Sequence, residues 1–339
     1  MNQCYRLMIP IILTLVIIMV PSNTFAVINN NNDSVNHTKF ISLQNISNSI
    51  KGSGKSLSSN PSNKQIKVVA SFFPMYEFVK GVGGNRVQAS VLIPIGAEPH
   101  DFDPTIDQIS AAQSADLVVY NGAGMESLWI NKINPKFAVD TSQGLPLLSS
   151  NDKESHNSVD PHIWLDPILA EHQVNMIRNA LIKVDPNNEN YYKMNAQKYI
   201  AKLDILNSDI KLGLSNCNKK DFVSFHNAFN YFAHRYGLTQ HPIQGLSPEG
   251  EILPQKIQEI IQLSHNLGIN VIYSEDLVDP RAAQVIADEI SNGKVLVLSP
   301  IEGIKSEEIK SDISYFDKMH QDLANLKIGL QCGTENNKT

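Results

Sequence analysis

Histidine is the side chain that most often binds transition metals, and the segment SFHNAFNYFAHRYG contains two of them, His226 and His234. The segment follows an apolar run and predicts a helix over residues 226–236. Eight positions along a helix separate two side chains by about 80° around the axis and about 12 Å along it. One ion cannot bind both imidazoles, so at most one of them belongs to a site, with partners from elsewhere in the chain.

Three more side chains that bind metals lie in loops or follow apolar runs. His100 lies in IPIGAEPHDFDPT, His162 in VDPHIWLDP and Glu302 in VLVLSPIEG. Like His226, both His100 and Glu302 come after strand-like segments, and ligands of open parallel sheets bind beyond the carboxyl ends of the strands. Turn or capping chemistry explains each residue equally well when it is taken alone. Only the four together suggest a site.

The elements that would carry these side chains alternate between short β-branched runs and amphipathic stretches. Strands are predicted at 66–71, 87–94, 116–121, 137–141, 221–225, 270–275 and 294–299, and helices at 74–81, 105–115, 127–133, 226–236, 254–267 and 280–291. This alternation predicts an α/β fold of two lobes with mainly parallel sheets. Two of the four candidates fall in each lobe, so a shared site would lie in the crevice between them.

A long helix is predicted between the lobes. Leu203, Leu206, Ile210 and Leu214 keep helical spacing, and the stretch from Glu189 is free of proline and glycine until Gly213. Such a helix is about 36–39 Å long. We therefore expect an N-terminal lobe over 66–187, a linking helix over 188–214 and a C-terminal lobe over 215–335. A stiff connection of this kind favours small domain movements.

The first 65 residues differ from the rest of the chain. Residues 1–26 have Arg6 before an apolar run and end in small residues at Ala26, the pattern of a secretory signal peptide. Left uncleaved, this segment would tether the protein to a membrane. Residues 27–65 are rich in asparagine and serine, which predicts a flexible linker. The mature protein is therefore expected outside the cytoplasm, in the periplasm or at the cell surface.

Charge and cysteine content limit the function further. The chain has 28 basic and 34 acidic residues, a net charge of −6, and no dense basic stripe, which argues against a nucleic-acid partner. Apart from Cys4, only Cys217 and Cys332 are present. An even pair in an exported protein suggests a disulfide, and a soft metal site is the alternative.

Six motifs occur together in a familiar order: VVASFFPMYEFVKGVGG, LIPIGAEPHDFDPT, DPHIWLDP, FHNAFNYFAHRYGL, GLSPEGEILP and LSPIEGI. Over residues 67–330 the chain resembles the zinc and manganese substrate-binding proteins of ABC importers, the ZnuA-like and AdcA-like proteins. The resemblance implies two Rossmann-like lobes joined by a backbone helix, with one metal ion between them. It also implies a membrane permease as partner, and we expect the protein to be a monomer.

Carried over motif by motif, the resemblance assigns the metal ligands as His100, His162, His226 and Glu302. The fourth is assigned from the S-P-I-E motif, because Ser299 stands where many relatives have aspartate. Many zinc-specific relatives also carry a long histidine-rich loop before the second ligand. Here the corresponding segment is short and contains only His156, a candidate accessory contact.

Three imidazoles and one carboxylate match the tetrahedral preference of Zn²⁺. Mn²⁺ prefers sites with more oxygen ligands, so the predicted cargo is Zn²⁺, with a Mn²⁺ or Fe²⁺ binding protein of the same transporter class as the alternative. Acidic residues near the ligands can orient the imidazoles or form turns and caps: Glu98, Asp101, Asp103, Asp160 and Asp166. An exported zinc hydrolase is a weaker hypothesis, since four protein ligands leave no open position. An adhesin has no support in the sequence as a primary role, and we expect no enzyme activity.

Overall fold

The computed structural model describes residues 64–150, 158–305 and 307–333. The predicted signal peptide over 1–26, the linker over 27–65 except Lys64 and Gln65, and His156 lie outside the described residues.

The first lobe is a four-stranded parallel sheet with helices packed around it. Its strands are β1 (Ile66–Ala70), β2 (Val87–Val91), β3 (Leu117–Tyr120) and β4 (Ala138–Asp140), in the order β2-β1-β3-β4. Its helices are α1 (Phe73–Gly83), α2 (Ile106–Gln113) and α3 (Pro167–Val184). Val68, Val69 and Ala70 of β1 and all of β3 except Tyr120 are buried, which explains their apolar runs, because helices cover both faces of a parallel sheet.

The second lobe repeats this plan. Its strands are β5 (Asp221–Ser224), β6 (Thr239–Pro242), β7 (Val271–Ser274) and β8 (Lys294–Val297), all parallel, in the order β6-β5-β7-β8. Its helices are α5 (Asn230–Tyr236), α6 (Pro254–Leu267), α7 (Arg281–Asp288) and α8 (Tyr315–Gly329). The predicted fold class of two parallel-sheet α/β lobes is confirmed.

Helix α4 (Glu189–Gly213) joins the two lobes. Its buried face carries Tyr192, Ala196, Tyr199, Leu203, Leu206 and Ile210. Tyr199 packs against Phe78 of α1 and Phe316 of α8, with ring centroids 5.7 and 5.0 Å apart. Side chains of both lobes thus share one apolar core along this helix.

The sequence prediction was wrong for several elements. Strand β6 was not predicted because its residues, TQHP, lack an apolar run and form an edge of the sheet. Helix α3 was not predicted either. The helix predicted at 127–133 is only a 3₁₀ turn at Ile130–Lys132, a segment too short to propagate an α-helix.

The helix predicted at 226–236 begins at Asn230, so His226 lies before it. The Asn227 N–H donates to the Gly245 carbonyl, 2.8 Å away, instead of to a helical partner. The side chains of Ser224 and Gln240 also donate to the His226 carbonyl at 2.9 and 2.8 Å. These bonds hold the segment between β5 and α5 in a bend outside the helix.

Among the residues that the structure describes, no helix combines the length and the apolar character needed to cross a bilayer.

Candidate metal centre

His162 lies in the first lobe, between β4 and α3. The Asn121 side chain at the end of β3 donates to the Pro161 carbonyl at 2.9 Å and fixes the backbone before the histidine. After it, a 3₁₀ turn leads to Asp166, whose carboxylate caps α3 through the Ile168 N–H at 2.9 Å. The imidazole is fully buried, so both neighbouring loop segments restrict its position.

His226 follows β5 in the second lobe and is also fully buried. Glu275, the first residue after β7, binds it twice: Oε1 accepts the His226 backbone N–H at 3.0 Å and lies 2.7 Å from Nδ1. Strand β7 is adjacent to β5 in the sheet, so the carboxyl ends of the two strands bring these residues together.

His100 lies in the loop after β2. Its backbone N–H donates to the Glu98 carboxylate at 3.2 Å, and its Nε2 is 3.0 Å from Glu302 Oε1. Burial, and then the nearby Glu302 carboxylate, raise the pKa of Glu98 to about 9. Glu98 is therefore neutral at physiological pH while the site holds no metal, and it adds no charge to the cluster.

Glu302 follows β8, and an unusual backbone conformation directs it into the cleft. Ile301 has φ +58°, a conformation that is rare for β-branched residues. Its N–H donates to the Ser299 hydroxyl at 3.2 Å, and the Ser299 N–H donates to Asp322 of α8 at 2.7 Å. The strained turn is thus held at both ends by hydrogen bonds.

The four candidate side chains meet at one point between the lobes. His162 Nε2 is 3.3 Å from His100 Nε2 and 3.2 Å from His226 Nε2. Glu302 Oε1 is 3.0, 3.2 and 3.4 Å from the Nε2 atoms of His100, His162 and His226. All four donor atoms lie within 4.8 Å of one another. Nitrogen ligands at about 2.0–2.1 Å from a tetrahedral Zn²⁺ are about 3.3–3.4 Å apart, so the cluster has the dimensions of a zinc site.

Two carboxylates determine which imidazole nitrogen faces the centre. Asp160 Oδ1 lies 2.7 Å from His162 Nδ1, as Glu275 Oε1 does from His226 Nδ1. A carboxylate accepts a proton at this distance, which places the N–H on Nδ1 and the lone pair on Nε2. In the neutral form of both residues the lone pair therefore points at the centre, as metal binding requires.

The charges of the cluster are strongly coupled. Burial lowers the pKa of His100 below its ordinary value. Burial also opposes protonation of His162 and His226, but the carboxylates outweigh it and raise both pKa values: Asp160 and Glu302 for His162, and Glu275 and Glu302 for His226. Burial would raise the pKa of Glu302, yet His100 and His226 hold it well below its usual range. The metal-free site thus binds protons in place of a cation.

The other acidic candidates have different roles. Of the five, Asp160 orients a candidate ligand, and Glu98 bonds to the backbone of another. Asp166 caps α3 and pairs with Arg235. Asp101 is exposed, and Asp103 pairs with Lys132 at 2.5 Å. Sequence reasoning did not identify Glu275, although its place directly after β7 is the same signal that pointed to His226.

Cys217 and Cys332 form a disulfide, which joins the segment after α4 to the segment after α8. The bridge closes a separation of 115 residues. It is not among the side chains that converge on the cluster, so it does not contribute a donor there.

Comparisons with known proteins agree with this geometry. Residues 68–329 match a family model described as ZnuA, the periplasmic component A of zinc-uptake complexes. The chain is 35% identical over 289 residues to the high-affinity zinc uptake system protein ZnuA of Bacillus subtilis, which covers 80% of this chain and 90% of that protein.

Two solved structures are similar in fold. One is Zn(II)-bound AdcA of Streptococcus pneumoniae, with a TM-score of 0.71, 32% identity, and coverage of 81% of this chain and 62% of the AdcA chain. The other is the laminin-binding protein of Streptococcus agalactiae, described as bifunctional with adhesin and metal-transporting activity. Its TM-score is 0.72 and its identity 31%, and the match covers 79% of this chain and all of that one. The chain thus spans less than two thirds of the length of AdcA.

Proposed function

Because the chain belongs to the ZnuA family of zinc-uptake proteins, we propose that it captures Zn²⁺ outside the cytoplasm and delivers it to an ABC importer. The observation that carries the proposal is the convergence of three buried imidazoles and one buried carboxylate within 4.8 Å. Such a donor set fills a tetrahedral zinc shell and leaves no position for a reacting water. The protein therefore acts by binding and release, without catalysis.

Each ligand has a role in this proposal. His162 and His226 offer Nε2 lone pairs that Asp160 and Glu275 hold in place. His100 supplies the third nitrogen, and Glu302 supplies the negative charge that partly neutralises the cation. Zn²⁺ replaces the protons of the metal-free site, because protonated imidazoles cannot bind a metal.

The lobes divide the site equally. His100 and His162 belong to the proposed N-terminal lobe over 66–187, and His226 and Glu302 to the proposed C-terminal lobe over 215–335. The linking helix over 188–214 and the shared apolar core support a small rotation of the lobes on binding and release. A membrane permease is the proposed recipient, and the proposed binding protein is a monomer.

The proposed location follows from the family and from the N-terminus. In this proposal residues 1–26 direct export, and they tether the protein to the membrane if the signal is retained. The Cys217–Cys332 disulfide is consistent with an oxidising compartment.

The decisive experiment is metal analysis of protein purified without added metal, followed by competition between Zn²⁺ and Mn²⁺. We expect one equivalent of zinc and a preference for Zn²⁺, because three nitrogen donors suit zinc better than manganese. A preference for Mn²⁺ would replace the proposed cargo. Full zinc binding by the double variant His100→Ala/His226→Ala would contradict the proposed site itself.

A further inference from the structure

Asp160 contacts His162, a candidate ligand of the first lobe, and is itself contacted by the second lobe. It is almost fully buried, with 1% of its surface exposed. Its Oδ1 atom accepts both the backbone N–H of His162, at 2.9 Å, and Nδ1–H of the same residue, at 2.7 Å. Both of these hydrogen bonds therefore join one carboxylate oxygen to one candidate ligand.

The other oxygen of Asp160 is held from across the cleft. Asn230, the first residue of α5, donates its side-chain N–H to Asp160 Oδ2 at 2.9 Å. The adjacent Tyr231 donates its hydroxyl to the Asp160 backbone carbonyl at 2.8 Å and accepts the Leu148 N–H at 2.9 Å. Two successive side chains of the second lobe therefore fix both the carboxylate and the backbone of Asp160.

These contacts restrict the rotation of the carboxylate. A buried carboxylate with only one hydrogen-bonded oxygen would turn toward other donors. If it did not turn, its free oxygen would stay buried without a partner, at the cost of its desolvation free energy. With Oδ2 held by Asn230, Oδ1 faces His162 Nδ1 and keeps the proton there. The lone pair of His162 Nε2 then faces the centre of the cluster.

We propose that Asn230 is a positioning residue for zinc, through which the second lobe orients His162 of the first lobe. The inference rests on the proposed function, since it concerns the same site. His226 and Asn230 are four residues apart, so one segment of the second lobe contacts the metal directly and also supports a ligand on the opposite side. Separation of the lobes removes His226 from the metal and releases Asp160 in the same movement.

The test is a double-mutant cycle on zinc affinity with Asn230→Leu, Asp160→Ala and the double variant. Leucine has nearly the shape of asparagine but cannot donate. We expect Asn230→Leu to weaken zinc binding by about tenfold, and Asp160→Ala by about 10–100-fold, the range for outer partners of metal ligands. In the Asp160→Ala background, Asn230→Leu is expected to change the zinc affinity by less than about twofold. Asn230 acts on the metal site through the Asp160 carboxylate, which this background lacks.

Asn207→Leu is the matched control. Asn207 is also half-buried and accepts a hydrogen bond from Tyr236 of α5 at 2.9 Å, the same length as the Asn230 bond. Asn207 lies on α4, and its hydrogen bond joins α4 to α5 rather than to a ligand loop, so its loss should lower thermal stability without changing zinc affinity. Asn230→Ser, too short to reach Asp160, provides a second variant if leucine impairs folding.

A spectroscopic signal separates positioning from general destabilisation. The visible ligand-field bands of the Co²⁺-loaded protein report the geometry of the four donors, and we expect them to shift in Asn230→Leu but not in Asn207→Leu. Additive effects of Asn230→Leu and Asp160→Ala, or unchanged zinc affinity in both Asn230 variants, would overturn the inference while the proposed function stands. Failure of the wild-type protein to bind zinc would overturn both.

Discussion

The indole N–H of Trp164 donates to the carbonyl of Pro300 at 2.7 Å, across the boundary between the lobes. Both residues are buried. Trp164 is two residues after His162, and Pro300 is two residues before Glu302. A direct hydrogen bond therefore joins the loops that carry two of the proposed ligands.

Replacing Trp164 by phenylalanine should keep the ring contact with Phe72, whose centroid lies 4.9 Å away, but remove the donor. The Pro300 carbonyl would then be buried without its partner, at a cost of about 1–3 kcal/mol in the free energy of unfolding. We also expect weaker zinc binding, since Glu302 loses its link to the His162 loop. Denaturant unfolding and zinc titration measure the two effects.

Trp129→Phe is the control for lost volume. Trp129 is equally buried, and its indole nitrogen has no hydrogen-bond partner among the described residues. This variant should leave zinc affinity unchanged. If it weakens zinc binding as much as Trp164→Phe does, the bond to Pro300 is not the cause.

His226→Ala and His234→Ala should differ sharply, although both histidines lie in one motif. His226 is fully buried with Nε2 at the centre of the cluster, whereas His234 is exposed on α5. Loss of a ligand should exceed the effect of losing an outer partner, so we expect more than about a 100-fold loss of zinc affinity for His226→Ala. His234→Ala should bind zinc normally, and equal losses in the two variants would refute the assignment of His226.

Zinc binding should release protons at neutral pH. The pKa values of His162 and His226 are raised above the ordinary value of 6.5, that of His226 strongly. The metal must therefore displace the proton of His226 and, in the protonated fraction of the protein, that of His162. Calorimetric titrations in buffers with different ionisation enthalpies count the protons. Zinc affinity should rise with pH until both histidines are deprotonated. Binding without proton release at pH 7 would contradict these protonation states.

The same shifts predict opposite pH trends for the two forms of the protein. A histidine with a raised pKa stabilises the metal-free fold below pH 6.5, and this contribution is lost as the pH rises through the folded-state pKa. The affinity for zinc instead increases with pH, and the free energy of zinc binding adds to the stability of the folded protein. The increase in Tm caused by zinc should therefore grow from pH 6 to pH 8. Thermal melts with and without a chelator measure it.

Removing the disulfide should affect stability and leave zinc binding intact. The bridge closes a separation of 115 residues, for which the chain-entropy argument gives up to about 4.8 kcal/mol. Cys217→Ser/Cys332→Ser is expected to unfold at a lower denaturant concentration and to retain one zinc equivalent. A large loss of zinc stoichiometry in the folded double variant would show that the bridge also shapes the site.

The two-lobe α/β fold was predicted from the sequence. So were, as candidate ligands, the four side chains that the structure places together. Apolar and β-branched runs identified seven of the eight strands that the structure describes, most directly the central strands β3, β5 and β7, which are almost entirely buried. Strand β6, an edge strand of polar residues, was missed. The four candidates were found because three of them follow strands and all four lie in recognisable motifs.

The supporting contacts could not be predicted in the same way, because they join residues that are distant in the sequence. Glu275 is 49 residues from His226, and it is adjacent only because β7 pairs with β5, a strand order that no motif specified. Asp160 was one of five acidic candidates, and two contacts distinguish it in the folded chain: the one to His162 Nδ1 and the one to Asn230 on the opposite lobe. Trp164 and Pro300 are apolar residues whose polar atoms meet only in the folded chain.

The equal division of the four ligands between the lobes has a kinetic consequence. Since each lobe holds two of the proposed donors on its own loops, a rotation that separates the lobes would take two donors from the ion together. A two-coordinate ion is bound orders of magnitude more weakly than a four-coordinate one. If the chain carries Zn²⁺ as proposed, we expect the frequency of lobe opening to control the residence time of the ion, and a partner that holds the lobes apart to release the ion without contacting it.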